Sequence, residues 1–459
     1  MGSNQRRAAV VGAGAGGLCA AKHLLASGVD VVVFEIGSRV GGLWVYNNDN
    51  GRSVAYGSLR INSEAKITSY PDFPFPPGAS LYPGHREVAA YLESYARHFG
   101  VYERIRFRTS VTAVSPRVGG GWTVVTAAGV EDFDAVVIAS GHQAAPAHPP
   151  FAPDFAGEYH HSFTYREPAT FAGKRVLVVG VGNSGLDIAA DLCTVTERCL
   201  VAVRSPVLIM PRMLFGVPAS RLLAKLNKPW VPWPVQRTWM RTLAWIAHGR
   251  MEQWGMRAPR TRTHPAGHPT FMAHVFYDRI GIRPGIRSIH GKTVTFEDGR
   301  TDEVDVLIAA TGYEIDLPFL EPDVSPVVGR RVEAYKRVIH PNRPGLYFVG
   351  FFNVSGGANI RMMDVQSRWV AAIVSGRAGV PSPAEMRQDI EEEKRLIAER
   401  YPSAERYGLE LDPSRYPRDV NNELRRPPGS REPSVEPVPG HREAGFLSGA
   451  PDGTLGFGL

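Results

Sequence analysis

The chain runs to 459 residues, enough for two or three domains, and at 43% hydrophobic and 21% charged its balance is ordinary for a soluble globular protein. Its 52 Lys and Arg against 45 Asp and Glu leave a net charge of +7, which reads as dispersed because no compact basic block and no nucleic-acid motif is present. Three cysteines, Cys19, Cys193 and Cys199, form no C-x-x-C pair, which argues against a disulfide framework or a zinc site and points to a reducing, cytoplasmic setting.

At the N-terminus, Arg6 and Arg7 precede an apolar run from Ala8 to Ala21 that mimics a secretory leader. The glycines in it have a better explanation. Residues 8–12 read as a buried strand, Gly12-Ala13-Gly14-Ala15-Gly16-Gly17 as a turn, Leu18 to Ala26 as a helix closed by Gly28, and Val29 to Phe34 as a second strand ending at Glu35. Arg6 stands where a myristoylation signal needs Ser or Thr, and no apolar stretch of about 18 residues predicts a membrane span.

The unit recurs as a strand over Arg175–Val179, the turn Gly180-Val181-Gly182-Asn183-Ser184-Gly185, a helix from Leu186 to Leu192, and a strand over Leu200–Val203 ending at Arg204-Ser205. Two further apolar strands end alike, Phe133–Ala139 in Ser140-Gly141 and Val304–Ala310 in Thr311-Gly312-Tyr313, and mark where the chain passes between modules. Residues 206–270 are rich in Trp, Pro and Arg, with a basic amphipathic helix expected over Gln236–Met251. Ala384–Tyr401 reads as a charged surface helix started after Pro383. From about Pro413 the chain is rich in Pro, Gly and charge, and a partly disordered tail is expected.

The glycine spacing suits a pyrophosphate held at a helix N-terminus, where free N–H groups and the positive dipole end meet the phosphates. Gly12 supplies the tight turn, Gly14 lets the backbone approach the phosphates, and Gly17 lets helix and strand pack closely. Glu35 stands where an acid accepts hydrogen bonds from a ribose with free hydroxyls, as in FAD. In the second unit Arg204 holds that place and suits a 2′-phosphate, so that unit is expected to take NADPH. The expected fold is α/β, with two Rossmann-like dinucleotide-binding domains and the NADPH domain inserted in a split FAD domain. The boundaries are 1–165 (FAD, first part), 166–305 (NADPH, with a substrate or lid insertion over about 206–280), 306–412 (FAD, second part) and 413–459 (tail).

These motifs resemble the flavin-containing monooxygenase family, which also includes the plant YUCCA enzymes. The most specific stretch is Phe155-Ala156-Gly157-Glu158-Tyr159-His160-His161-Ser162-Phe163-Thr164-Tyr165, which fits F-x-G-x-x-x-H-x-x-x-Y; the Baeyer–Villiger branch usually ends that motif in Trp. Gly41-Gly42-Leu43-Trp44, Asn62-Ser63, Gly182-Asn183-Ser184-Gly185-Leu186-Asp187, Ala310-Thr311-Gly312-Tyr313 and Asp364-Val365-Gln366-Ser367-Arg368-Trp369 are also similar, so the resemblance spans roughly residues 8–400 and is thin over 206–270.

The resemblance implies FAD reduced by NADPH, O2 taken up as a flavin C4a-hydroperoxide, and oxygen passed to a nitrogen or sulfur centre of a small molecule. It makes Asn62 the candidate catalytic side chain, beside flavin and NADP⁺. Candidate cofactor-binding residues are Gly12, Gly14, Gly16, Gly17, Glu35, Leu43, Trp44, Asn62, Ser63, Gly180, Gly182, Asn183, Ser184, Gly185, Arg204, Thr311 and Gly312. The loosely spaced His264, His268 and His274 carry no metal-ligand pattern.

Bland roles compete: Asn62 as a turn cap, His161 as a brace between domains, Arg204 as a solvated charge, and Trp230, Trp233, Trp239, Trp245 and Trp254 as ordinary packing rather than a substrate channel or membrane-facing surface. Gly350 is followed by Phe351, not the Asp that contacts the ribityl chain in many flavoproteins with two dinucleotide domains. Alternative chemistries are Baeyer–Villiger oxygenation of a ketone, YUCCA-like oxidative decarboxylation of a keto acid (Val203-Arg204-Ser205 and Met210-Pro211-Arg212 resemble that branch), and flavin reductase or oxidase activity without oxygenation. Peripheral membrane contact and homodimerisation stay open.

Overall fold

A computed structural model describes residues 5–226, 230–354, 358–401 and 408–428. Two five-stranded parallel sheets organise the chain. In the first, Arg7–Val11 lies between Asp30–Phe34 and Ala135–Ile138, with Ile105–Arg106 at one edge and Leu346–Phe348 at the other. In the second, Arg175–Val179 lies between Arg198–Ala202 and Val306–Ala309, with Ile280–Arg283 and Glu158–His161 at the edges. The central strands read as continuous apolar runs because helices or loops cover both faces.

Each sheet also carries a three-stranded antiparallel meander between corresponding strands. It spans Val111–Pro116, Trp122–Thr126 and Gly129–Phe133 in the first, and Ile286–His290, Thr293–Phe296 and Thr301–Glu303 in the second. The two halves thus share one plan, nested as expected. The crossings fall elsewhere, however: Glu158–His161 and Val306–Ala309 both belong to the second sheet, so the chain crosses before 158 and after 309 rather than at 165 and 305. Thr311 and Gly312 sit at the return crossing, where Tyr313–Glu314 pairs antiparallel with Ala145–Pro146.

The helix Asn359–Val374 packs on the first-turn helix Ala15–Ala26 and so closes the first module late in the chain. The basic helix spans Trp233–His248, shifted toward the N-terminus because Pro232 and Pro234 suit a helix start. Pro383–Arg400 forms the charged helix, capped by Ser382 and Glu385. The segment after Pro413 begins with order: Tyr416–Glu423 is a helix whose Tyr416 and Val420 bury against Asn359–Val374. The rest of the expected tail, 429–459, lies outside the described residues.

Candidate active site

Both glycine turns are built by the same contacts. Gly12 has φ +106°, and a Cβ there would lie 2.7 Å from the Ala139 carbonyl oxygen; Gly180 has φ +112°, with a Cβ at 2.6 Å from that of Ala310. A Cβ on Gly17 would sit 1.8 Å from the Gly12 carbonyl oxygen, and one on Gly185 2.1 Å from that of Gly180. Protein packing therefore demands these four glycines. It does not demand Gly14, where a Cβ would meet nothing nearer than Gly42 Cα at 3.7 Å, or Gly182, where it would meet nothing within 4 Å. At those positions the missing side chain leaves room for something other than protein. Gly14 and Gly182 are also the N-cap residues of their helices, and neither helix has a side-chain cap, so the first N–H groups stay available to an anion.

Gly16 packs against the backbone of Val349, while Gly41-Gly42 folds over the first turn, Gly41 N donating to Ala13 O at 3.1 Å. Glu35 is buried, and burial pushes its carboxyl pKa up. Two backbone donors hold it in place, Ala13 N to Oε2 and Gly37 N to Oε1, both at 2.8 Å. Each oxygen keeps a lone pair for a hydroxyl.

A cleft of about 1320 Å³ begins at Gly12, Gly14, Gly16 and Glu35, passes Leu43, Trp44, Asn62 and Ser63, and ends among Met210, Arg212, Leu223, Trp233, Gln236 and Met240. That exceeds the room one drug-sized ligand needs. Of the second turn, Asn183 alone borders this cleft; Gly180, Gly182, Ser184, Gly185 and Arg204 do not. Arg204 is exposed and its side chain makes no ion pair among the described residues, which leaves the guanidinium available to a phosphate. Gly17 is buried packing. Thr311 and Gly312 lie off the cleft: the Thr311 hydroxyl donates to Ala147 O at 2.5 Å and the Gly312 carbonyl accepts from Ala147 N at 3.0 Å, which ties the crossing strands together.

Asn62 is exposed on the cleft wall, and its Oδ1 accepts from Arg212 Nη2 at 3.0 Å. With the oxygen engaged, the amide NH2 is left for the cleft. Behind Arg212 stands a group the sequence reading missed. The Tyr56 hydroxyl donates to Asp187 Oδ2 at 2.6 Å, while Arg212 Nη2 and His268 Nε2 lie 3.9 and 3.6 Å from Oδ1, an oxygen without a hydrogen-bond partner. Burial raises the Asp187 pKa to about 6, partly offset by Tyr56 and Arg212, and lowers that of His268 to about 4. Ser58 donates to Asp191 on the same helix, so the loop carrying Asn62 is clamped to the second module. The resemblance to G-N-S-G-x-D was visible in the sequence; the partner 131 residues away was not.

His161 is buried with Nε2 unpartnered, and burial lowers its pKa to about 4. It lies off the cleft, and its Nδ1 accepts from Phe163 N at 3.1 Å, in keeping with a brace. Tyr165 is buried against Phe171, its hydroxyl donating to Asp191 at 3.2 Å. Near Gly350, where Phe351 replaces an acid, Asn353, Asn359 and His142 line the cleft instead, and His142 Nδ1 lies 3.2 Å from Gly350 O.

Residues 5–428 match the flavin-binding monooxygenase-like family model. Flavin-containing monooxygenase 5 of Rattus norvegicus is 31% identical over 433 residues, covering 89% of this chain and 80% of its own length. Flavin-containing monooxygenase 3 of Homo sapiens is 31% identical, covering 84% of this chain and 77% of its own. Among solved structures, S-allyl-L-cysteine S-oxygenase from Allium sativum superposes with a TM-score of 0.69 at 28% identity, over 92% of this chain and 89% of that one. An open form of cyclohexanone monooxygenase does so at 0.67 and 20% identity, over 92% and 98%, a likeness of fold.

Proposed function

The chain belongs to the flavin-binding monooxygenase-like family, and from that premise we propose that it uses NADPH and O2 to oxygenate a nitrogen or sulfur centre of a small molecule. The observation that carries this reading is the continuous cleft joining the first glycine turn, Asn62 and Asn183 of the second turn. Bound FAD supplies the redox chemistry and the activation of O2. The chain's own residues bind and orient. The bare helix start at Gly14 receives the pyrophosphate and Glu35 a ribose; the start at Gly182 and Arg204 hold the NADPH phosphates. Asn62, fixed by Arg212, presents N–H donors where oxygen transfer takes place. The Allium relative supports sulfur as a target. Three free cysteines, two of them buried, suit a reducing cytoplasmic setting.

A second reading rests on Arg212. Its side chain lines the cleft, and a guanidinium there suits a substrate carboxylate and hence oxidative decarboxylation of a keto acid. One experiment separates these. The flavin-loaded protein is given NADPH and O2 with a tertiary amine, a thioether or an aryl keto acid, and NADPH consumption, H2O2 release, CO2 release and product mass are followed. An amine or sulfide gaining one oxygen supports the first reading and CO2 from the keto acid the second. NADPH converted wholly to H2O2 with all three substrates refutes both.

A further inference from the structure

Cys19 and His23 lie four residues apart and so share one face of the helix Ala15–Ala26. There the helix Asn359–Val374 brings Asp364 against both side chains. Cys19 Sγ lies 3.7 Å and His23 Nε2 2.8 Å from the same oxygen, Asp364 Oδ1. The three ligand atoms fall within 4.8 Å of one another, a convergence of cysteine, histidine and acid found nowhere else among the described residues. Cys19 is fully buried and Asp364 nearly so, while the His23 side chain, 15% exposed, forms the outer edge. None of the three borders the main cleft.

The surroundings suit a cation. Ser367 and Tyr95 are fully buried beside the Cys19 sulfur, and the hydroxyl of each is without a hydrogen-bond partner. Unsatisfied hydroxyls at that depth cost free energy that a bound cation recovers. The charges also balance, because a thiolate and a carboxylate together cancel a divalent ion. Arg368 Nε, 3.0 Å from the outer oxygen Asp364 Oδ2, orients the carboxylate from behind. Lys22, the other cation nearby, is paired with Asp72. Burial and the charge of Asp364 push the Cys19 thiol pKa up, so the sulfur keeps its proton until a metal replaces it.

We propose that Cys19, His23 and Asp364 form a structural Zn²⁺ site that fastens the helix Asn359–Val374 to the helix Ala15–Ala26. Sulfur, imidazole and carboxylate are a zinc ligand set, whereas Mg²⁺ and Ca²⁺ select oxygen alone. In a tetrahedral shell with Zn–S of about 2.3 Å and Zn–N and Zn–O of about 2.0 Å, ligand atoms stand about 3.3–3.5 Å apart. The sulfur and Oδ1 are already close to that separation, and Nε2 and Oδ1 have to part by about half an ångström. The Ser367 or Tyr95 hydroxyl completes the shell. Binding releases the thiol proton to solvent and leaves the imidazole proton on Nδ1. Cysteine spacing alone argued against zinc because the acid stands 345 positions after Cys19, on the last helix to close the first module. The start of the partner helix, Gly14 to Gly16, borders the cleft, so the metal braces that wall whichever atom is oxygenated.

The test uses the full, flavin-loaded chain, stripped with a chelator and titrated with Zn²⁺ against a chromophoric competitor. X-ray absorption at the zinc edge then reads the shell. One zinc per chain, one sulfur at about 2.3 Å and a raised melting temperature are expected. Cys19→Ser removes the sulfur from the spectrum. It and His23→Gln each weaken binding by more than the about tenfold to hundredfold that loss of a supporting hydrogen bond costs. Cys193→Ser leaves binding unchanged. Flavin content and melting temperature without zinc show whether the variants fold, and the spectrum of the parent decides where one does not. A zinc shell without sulfur, no zinc held at micromolar free metal, or binding that folded Cys19→Ser and His23→Gln retain overturns the proposal and leaves a buried His23–Asp364 ion pair. Binding lost with Cys193→Ser overturns it as well, by placing the metal elsewhere.

Discussion

Replacing Arg212 by Met tests whether Asn62 works as an oriented amide. A hydrogen bond from a charged donor, as in Arg212 Nη2 to Asn62 Oδ1 at 3.0 Å, contributes about 1.5–3 kcal/mol. That corresponds to an orientation bias of roughly tenfold to a hundredfold, since 1.4 kcal/mol is about a factor of ten. Without it the amide presents oxygen as readily as NH2 to the cleft, and turnovers with the wrong face release H2O2 instead of product. The expected result for Arg212→Met is retained flavin, a fall of several-fold in product per NADPH, and a matching rise in H2O2, read by oxygen electrode, peroxidase assay and mass spectrometry. Asn62→Ala gives the same uncoupling, and the double variant is no worse than either single one, because the two residues act as a unit. Additive losses, or an Arg212→Met protein as well coupled as the parent, would refute the orientation argument.

Glu35→Gln keeps the shape but loses the charge that two backbone N–H groups address; with the proposed ribose contact, flavin affinity should fall about tenfold to a hundredfold, measured by fluorescence titration of the apoprotein. Arg204→Ser should raise the KM for NADPH at least about tenfold and leave that for NADH unchanged; equal effects on both would assign Arg204 to general surface charge. Asp187→Asn probes pH linkage. Because its folded pKa is raised from 3.8 to about 6, Asp187 stabilises the fold relatively below pH 4, an effect lost as pH rises through about 6. The variant should therefore gain up to ~3 kcal/mol at pH 8 and nothing at pH 4 in denaturant melts. His268, whose pKa is lowered to about 4, acts oppositely as pH falls below its unfolded value near 6.5, so acidification should weaken the variant more steeply than the parent. A variant with the parent's pH profile would show that Asp187 does not titrate as described.

The two nucleotide turns were legible because their signal is local: Gly12 and Gly17, or Gly180 and Gly185, meet within six residues, and the strand Arg175–Val179 was read to the residue. The split first sheet was legible from the matching ends of two strands. Three features were not. The meanders are built of short strands whose pairing, not whose composition, defines them. The helix Tyr416–Glu423 buries only Tyr416 and Val420, too thin a stripe to stand out from Pro, Arg and Asp. The Tyr56–Asp187–Arg212 group joins residues 131 and 25 positions apart from three segments, and no periodicity announces such a meeting.

The edge strand Leu346–Phe348 and the helix Asn359–Val374 have a consequence for biosynthesis. The second module has all five of its strands once residue 309 has emerged from the ribosome, whereas the first, begun at residue 7, still lacks an edge and a covering helix. The inserted module therefore completes itself first, while its host waits with Arg7–Val11 and Ala135–Ile138 paired but one flank bare. Val349, Gly350 and Asn353, which line the same cleft as Gly12, Gly14 and Gly16, arrive later still. With flavin seated as proposed, its capture is a late event in the life of the nascent chain, and a truncation before residue 346 should leave an apoprotein with an intact second module.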